Sequence, residues 1–120
     1  MTDAVKQWIE SYVRAWTSNE PEDIRALFTE DAVYATRPHD PDPWRGRDRI
    51  VQRWLEARDE PADWTFEWTP LGFDGGRAFV QGVTVYNGGD RTYDNLWVID
   101  LAEDGRARAF TEWFMARKQV

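Results

Sequence analysis

Cysteine is absent and histidine occurs once, at His39, which excludes disulfides, thiolate zinc sites, a cysteine nucleophile and multi-histidine metal centres. No apolar run approaches the roughly 20 residues that span a bilayer. The opening MTDAVKQWIE has no signal-peptide core, so a soluble, cytoplasmic protein with no membrane partner is expected. Positive charge is scarce: 15 Lys and Arg face 22 Asp and Glu, giving a formal charge of -7. Nowhere do the cations gather into the stripe that a phosphate backbone needs, so nucleic acid is not an expected partner. Walker and dinucleotide-binding glycine patterns are missing, the glycines lying at turn positions instead. Carboxylates are then the main ligands left for a metal, and too few can be placed together for a cage, so no metal and no other cofactor is expected.

Flat ring surface, by contrast, is plentiful. Aromatic residues make up 15% of the 120 residues and include eight Trp. A chain of this length buries roughly two-thirds of its unfolded surface. Much of the core, or of a pocket wall, must therefore be aromatic, which suits a small apolar or aromatic ligand.

In chain order, Val5, Trp8, Ile9, Tyr12, Val13 and Trp16 form a helical stripe opened by Thr2 and Asp3. Pro21 begins a second, short helix with Ile24, Leu27 and Phe28 facing inward and Glu20 as a weak cap. Ala32 to Thr36 reads as a short strand and Arg37 to Gly46, with three prolines, as a loop. Arg47 to Glu60 returns to helical spacing through Ile50, Val51, Trp54 and Leu55, and Pro61 ends it. From Trp64 onward the period is two. The apolar phase slips at Thr69-Pro70, suggesting a bulge, and the turns Asp74-Gly75-Gly76, Asn87-Gly88-Gly89 and Asp104-Gly105 separate four consecutive antiparallel strands. No repeat or linker interrupts this order, so residues 1–120 read as one α+β domain. Three N-terminal helices are expected to pack on a bent antiparallel sheet, in the order α-α-β-α-β-β-β-β.

Arranged so, nearly the whole chain resembles the NTF2-like superfamily, and within it the SnoaL-like and ketosteroid-isomerase-like proteins. The likeness rests on ALFTEDA (26–32), Trp44-Arg45-Gly46-Arg47 leading into the third helix, NLWV (95–98), and Asp104-Gly105-Arg106 leading to FTEWFM (110–115). The resemblance implies a cone whose curled sheet encloses an apolar cavity and whose outer sheet face forms a homodimer. It also implies cofactor-free isomerisation, dehydration, cyclisation or epoxide hydrolysis of small apolar molecules, or binding without catalysis. Laid on the steroid isomerases, Tyr12 falls at their hydrogen-bonding tyrosine. Their general-base aspartate falls at Thr36, and their oxyanion-hole aspartate at Trp97 or, shifted by two, at Asn95, so both carboxylates are missing here.

One carboxylate is out of place instead. Glu112 lies between Phe110, Thr111, Trp113 and Phe114, where a strand buried on both faces is expected. A four-residue turn over Ala102 to Gly105 would pair Leu101 with Arg106, Asn95 with Glu112, Trp97 with Phe110 and Tyr93 with Phe114. A one-residue slip would send Glu112 outward. Facing inward, it has a raised pKa and acts as general acid or base, or else serves as a structural acceptor for Asn95, Tyr12 or an arginine. Candidate acid/base and anchoring residues are thus Glu112, Tyr12 and Asn95. Candidate ligand contacts are Trp8, Trp16, Tyr34, Thr36, Trp54, Trp97, Phe110 and Phe114, with Arg37 and His39 from the loop at the mouth. Outward Trp113 and Met115 are the nominees for the homodimer contact. Three functions remain open: a proton-transfer enzyme, a non-catalytic binder of a small apolar molecule, or a dimeric interaction protein whose cavity its own tryptophans fill.

Overall fold

The computed structural model describes residues 2–60, 63–86 and 91–117. Helix α1 (Thr2–Ser18) and the short α2 (Pro21–Arg25) pack with α3 (Arg47–Glu56) on one face of a six-stranded sheet. The strands are β1 (Phe28–Ala35), β2 (Trp44–Arg45), β3 (Trp64–Asp74), β4 (Arg77–Tyr86), β5 (Arg91–Leu101) and β6 (Ala107–Ala116), arranged β2-β1-β6-β5-β4-β3. The α+β class stands as expected.

The sheet is mixed rather than antiparallel throughout, because β1 runs parallel to β6, with Tyr34 beside Phe110 and Ala35 beside Thr111. Alternation in a sequence identifies a strand but not its neighbour from the far end of the chain. The element order gains a strand, since Trp44 and Arg45 pair with Tyr34 and Val33 inside the stretch expected to be loop. Two residues between Pro43 and Gly46 are too few for a period to show. Phe28 opens β1 instead of closing α2, and is fully buried there. Glu20 indeed makes no side-chain cap. Helix α3 stops at Glu56, short of Glu60: the Ala57 N–H bonds to the Arg53 and Trp54 carbonyls, and the chain peels off toward the sheet. Pro61 and the Asn87-Gly88-Gly89 turn lie outside the described residues.

The bulge in β3 falls one residue beyond its expected place. Pairing with β4 slips between Pro70 and Gly72, leaving Leu71 unpaired and exposed. On the next strand Gly82 is required by close approach, since a Cβ there would lie 2.5 Å from Phe66 Cε1. Without it the Phe66 ring could not lie flat on Trp97, 4.7 Å away between centroids.

The last hairpin has a different register from the expected one. Its turn spans Ala102 to Arg106, closed by the Ala102 N–H to the Arg106 carbonyl at 2.8 Å and helped by Gly105 at φ +88. Leu101 therefore pairs with Ala107, and a bulge after it makes Asp100 pair with Ala109. One extra turn residue and one bulge residue shift the ladder by two, so Glu112 sits opposite Trp97, and Asn95 opposite Phe114. A shift of two preserves side-chain parity. Glu112 therefore faces the helices and the cavity, the inward of the two faces left open by the sequence, opposite Trp97 instead of Asn95.

The core is continuous between helices and sheet: Val5, Ile9, Ile24, Leu27, Phe28, Ile50, Ile99 and Phe110 are all fully buried. Each such side chain contributes roughly 1.5–3 kcal/mol by leaving water. This packing makes the rigid frame against which the open end of the sheet stands.

Candidate functional site

Between α1, the end of α3 and the inner faces of β4, β5 and β6 lies a cavity of about 340 Å³. That is near the lower bound of the roughly 300–1,000 Å³ usual for ligand sites, so an occupant would be small. Residues on β5 grade from its mouth to its floor: Arg91 is exposed, Tyr93 half-buried, Asn95 and Trp97 buried. They alternate along one strand face, which is why one parity of the sequence supplies a whole wall.

Glu112 is the acid of that wall. Its Oε2 accepts the Trp97 indole N–H at 2.7 Å and the Asn95 amide N–H at 3.2 Å, and Oε1 receives no donor among the described residues. No cation pairs with it among the described residues. Burial among rings pushes its pKa from 4.5 up to about 7, and the Asn95 and Trp97 bonds only partly offset this. Glu112 is partly buried and lines the cavity.

Asn95 is itself held. Its Oδ1 accepts the Thr84 hydroxyl at 2.8 Å, which turns its amide N–H toward Glu112. Both Thr84 and Asn95 are buried, so each needs such a partner. Asn95 therefore positions the carboxyl, with its carbonyl oxygen already engaged.

Opposite, the Tyr12 and Tyr34 hydroxyls lie 2.7 Å apart on α1 and β1. One phenol donates to the other, which leaves the acceptor's own O–H free to donate elsewhere. Burial raises both pKa values, and the nearby Glu112 charge raises them further, so both stay protonated near neutrality. Tyr12 thus bonds Tyr34 rather than Glu112.

At the rim, the Asp59 Oδ2 accepts the Trp16 indole N–H and the Tyr86 hydroxyl, each at 3.0 Å. Asn19 binds the Asp59 carbonyl and accepts the Trp54 indole N–H. These bonds tie the segment after α3 to α1 and β4. Burial, followed by the Asp59 charge, raises the Tyr86 pKa.

The cavity wall includes Tyr12, Trp16, Tyr34, Thr36, Trp54, Asn95, Trp97, Glu112 and Phe114 among the residues proposed from sequence. Four others lie off it. Trp8 is packed in the core, its indole N–H on the Leu27 carbonyl, and Phe110 is buried among Trp8, Tyr12, Tyr34 and Trp97. Both occupy inward positions, but one layer below the cavity floor. Arg37 and His39 are exposed, because Asp40 folds their loop back by accepting the Thr36 N–H and hydroxyl and the Asp42 N–H. The wall also holds Trp44, Arg58, Asp59, Thr84, Tyr86, Arg91 and Tyr93. Extending the Asn95 parity outward would have found Tyr93 and Arg91, and Thr84 and Tyr86 stand at the inward parity of β4. Asp59 follows the end of α3 and Trp44 lies on the two-residue β2, and neither segment is long enough to give a periodic signal.

Residues 9–110 match the model of the SnoaL-like domain. The chain belongs to the SnoaL-like family. Its NTF2-like cone is shared with an NTF-2 like protein from Burkholderia xenovorans LB400, with TM-score 0.75 and 14% identity over 99% of this chain and 88% of that one. A protein of the SnoaL-like family from Agrobacterium tumefaciens str. C58 superposes with TM-score 0.72 and 20% identity over 96% of this chain and 99% of the other. A steroid delta-isomerase from Pseudomonas aeruginosa gives TM-score 0.67 and 16% identity over 93% and 80% of the two chains. At such identities the likeness concerns the fold. No curated protein matches the chain. Among the described residues of this SnoaL-like protein, no group of three His, Cys, Asp or Glu is placed to hold a metal, and no helix is long and apolar enough to cross a membrane.

Proposed function

We propose that this SnoaL-like protein binds a small, largely apolar carbonyl compound in the cavity and moves a proton on it without a cofactor. The observation that carries the reading is a carboxyl group with a pKa near 7, unpaired with any cation among the described residues and open on one oxygen to an aromatic cavity. A group titrating there is present both as base and as acid at neutral pH, the condition under which proton transfer is efficient. The unspent phenol proton of the Tyr12–Tyr34 pair supplies a neutral donor for an enolate oxygen as charge develops on it. Glu112 takes or returns the proton at carbon, Asn95 and Trp97 hold Glu112, and the pair holds oxygen. The roles assigned to the missing steroid-isomerase carboxylates are thus redistributed.

A non-catalytic binder would use the same cavity, and proton transfer separates the two. Incubated in deuterated buffer with a panel of aromatic ketones, the protein should accelerate exchange of their α-hydrogens, read by proton NMR. Glu112→Gln should lower that rate by about 100-fold or more. Probes that bind yet exchange no faster than in buffer would reject catalysis and leave the binder. The outward face of β6 exposes Trp113 and Met115, and a second copy of the chain is our proposal for its cover.

A further inference from the structure

Two cationic residues of the cavity wall, Arg58 and Arg91, have no part in the proposed chemistry. Both are exposed, whereas Tyr12, Tyr34, Asn95 and Trp97 are buried, so the arginines mark the mouth and the phenols the floor. Arg25, Arg53, Arg77, Arg106 and Arg117 each pair with an acid, but neither mouth arginine does so among the described residues. In a chain of formal charge -7, Arg58 and Arg91 bring two cations to the wall of the cavity that also holds Glu112, against the single rim carboxylate Asp59 among the described residues.

Their surroundings leave them available to a ligand. The Arg91 guanidinium sits 4.7 Å from the centre of the Tyr86 ring, so the ring face steadies it, and its N–H edges meet no acceptor among the described residues. Asp59, the acid on the same rim, accepts the Trp16 indole N–H and the Tyr86 hydroxyl on Oδ2 and makes no ion pair with either arginine among the described residues. A planar carboxylate matches the forked donors of a guanidinium better than any neutral group does.

The geometry points to an elongated ligand with two unlike ends: a carboxylate held at the mouth by Arg58 and Arg91, and a carbonyl group at the floor beside Tyr12, Tyr34 and Glu112. The substrate class is therefore an apolar keto acid, an inference that rests on the cavity-binding reading above. The Cα positions of Arg91 and Trp97 are six strand residues apart, roughly 20 Å at about 3.4 Å per residue. The long arginine stems reach back over part of that span. The two ends of the ligand must therefore be separated by a body such as two linked rings, since a short acid could not reach both.

Calorimetric titration with a rigid biphenyl that carries a methyl ketone at one end and a carboxylate at the other, beside its carboxamide twin, tests this. At low salt the carboxylate should bind about tenfold more tightly than the carboxamide, and the advantage should shrink as salt is raised. In the exposed-site double variant Arg58→Gln/Arg91→Gln the advantage should vanish while carboxamide affinity is unchanged. Equal affinities for the two probes, or an advantage that survives the double variant, would overturn the mouth assignment and leave the cavity reading standing. Failure of both probes to bind would overturn the two together.

Discussion

Replacing Glu112 by Gln removes a charge from a site that resists it, and the consequence is a stability that changes with pH in a definite direction. The folded-state pKa is raised from 4.5 to about 7. Between those values the folded chain binds more protons than the unfolded one, so this carboxyl lowers stability as pH rises through the interval. Below 4.5 it is neutral in both states and contributes no penalty. Above 7 the penalty is complete, about 3 kcal/mol at roughly 1.4 kcal/mol per tenfold. Gln resembles the protonated acid, for its carbonyl oxygen can still accept from Trp97 and Asn95. At pH 8 the variant should be more stable by between about 1 and 3 kcal/mol, and at pH 4.5 the two proteins should nearly match. For 120 residues that gain raises the melting temperature by about 4 °C per kcal/mol. The paired acids Asp94 and Asp104 have lowered pKa values, so their contribution is lost only as pH falls below the ordinary carboxylate range. They cancel in the difference between wild type and variant. Thermal melts of both proteins at the two pH values would refute the reasoning if the gap between them stayed constant, or if the variant were the less stable at pH 8.

Thr84→Val leaves the buried Asn95 Oδ1 without a donor and should cost about 1–3 kcal/mol in a denaturant melt. The same variant should move the Glu112 titration, followed by carbon NMR, upward as the Asn95 bond weakens. Gly82→Ala drives a methyl against Phe66 and should cost about 1–3 kcal/mol, with a change in tryptophan fluorescence as Phe66 leaves Trp97. An unchanged melt would mean that Phe66 moves without cost. Sedimentation at micromolar concentration should show a dimer that Trp113→Glu converts to monomer, and a wild-type monomer would reject the outer-face contact.

Where periodicity ran long, the sequence was informative: α1 and the four successive strands from Trp64 onward follow from spacing and turn residues. The β5–β6 register did not, because Arg106 joins the turn and a bulge adds a second residue, and neither event alters the alternation of apolar side chains. Parity itself was open, since Trp113 and Met115 alternate with Phe110 and Phe114 and one extra residue alone would have turned Glu112 outward; the turn residue and the bulge residue together keep it inward. The indole of Trp97 was missed as its hydrogen-bond partner for the same reason, since two residues of shift exchange Asn95 for Trp97 as the facing residue. Phe110 and Trp8 show the converse limit, for an inward position does not say how deep along the cone it lies. Asp59 reached the site through a helix that ends early, and the pairings that draw the chain away involve Trp16, Asn19 and Tyr86, all remote in sequence.

The parallel pairing of β1 with β6 also bears on how the molecule assembles. The hairpins β3–β4, β4–β5 and β5–β6 join consecutive strands, while the β1–β6 ladder joins Phe28 to Ala107 and must close most of the chain into a loop. Such long-range closure is the slow part of folding. Until β1 docks, Tyr34 is not over the cavity and Glu112 lies on an open sheet in contact with water. Its desolvation is completed as that ladder closes, in the slow step itself. In kinetic language, the penalty on the ionised carboxyl divides between the two rates: raising the pH should slow refolding and speed unfolding, in a ratio that reports how far β1 has docked at the barrier.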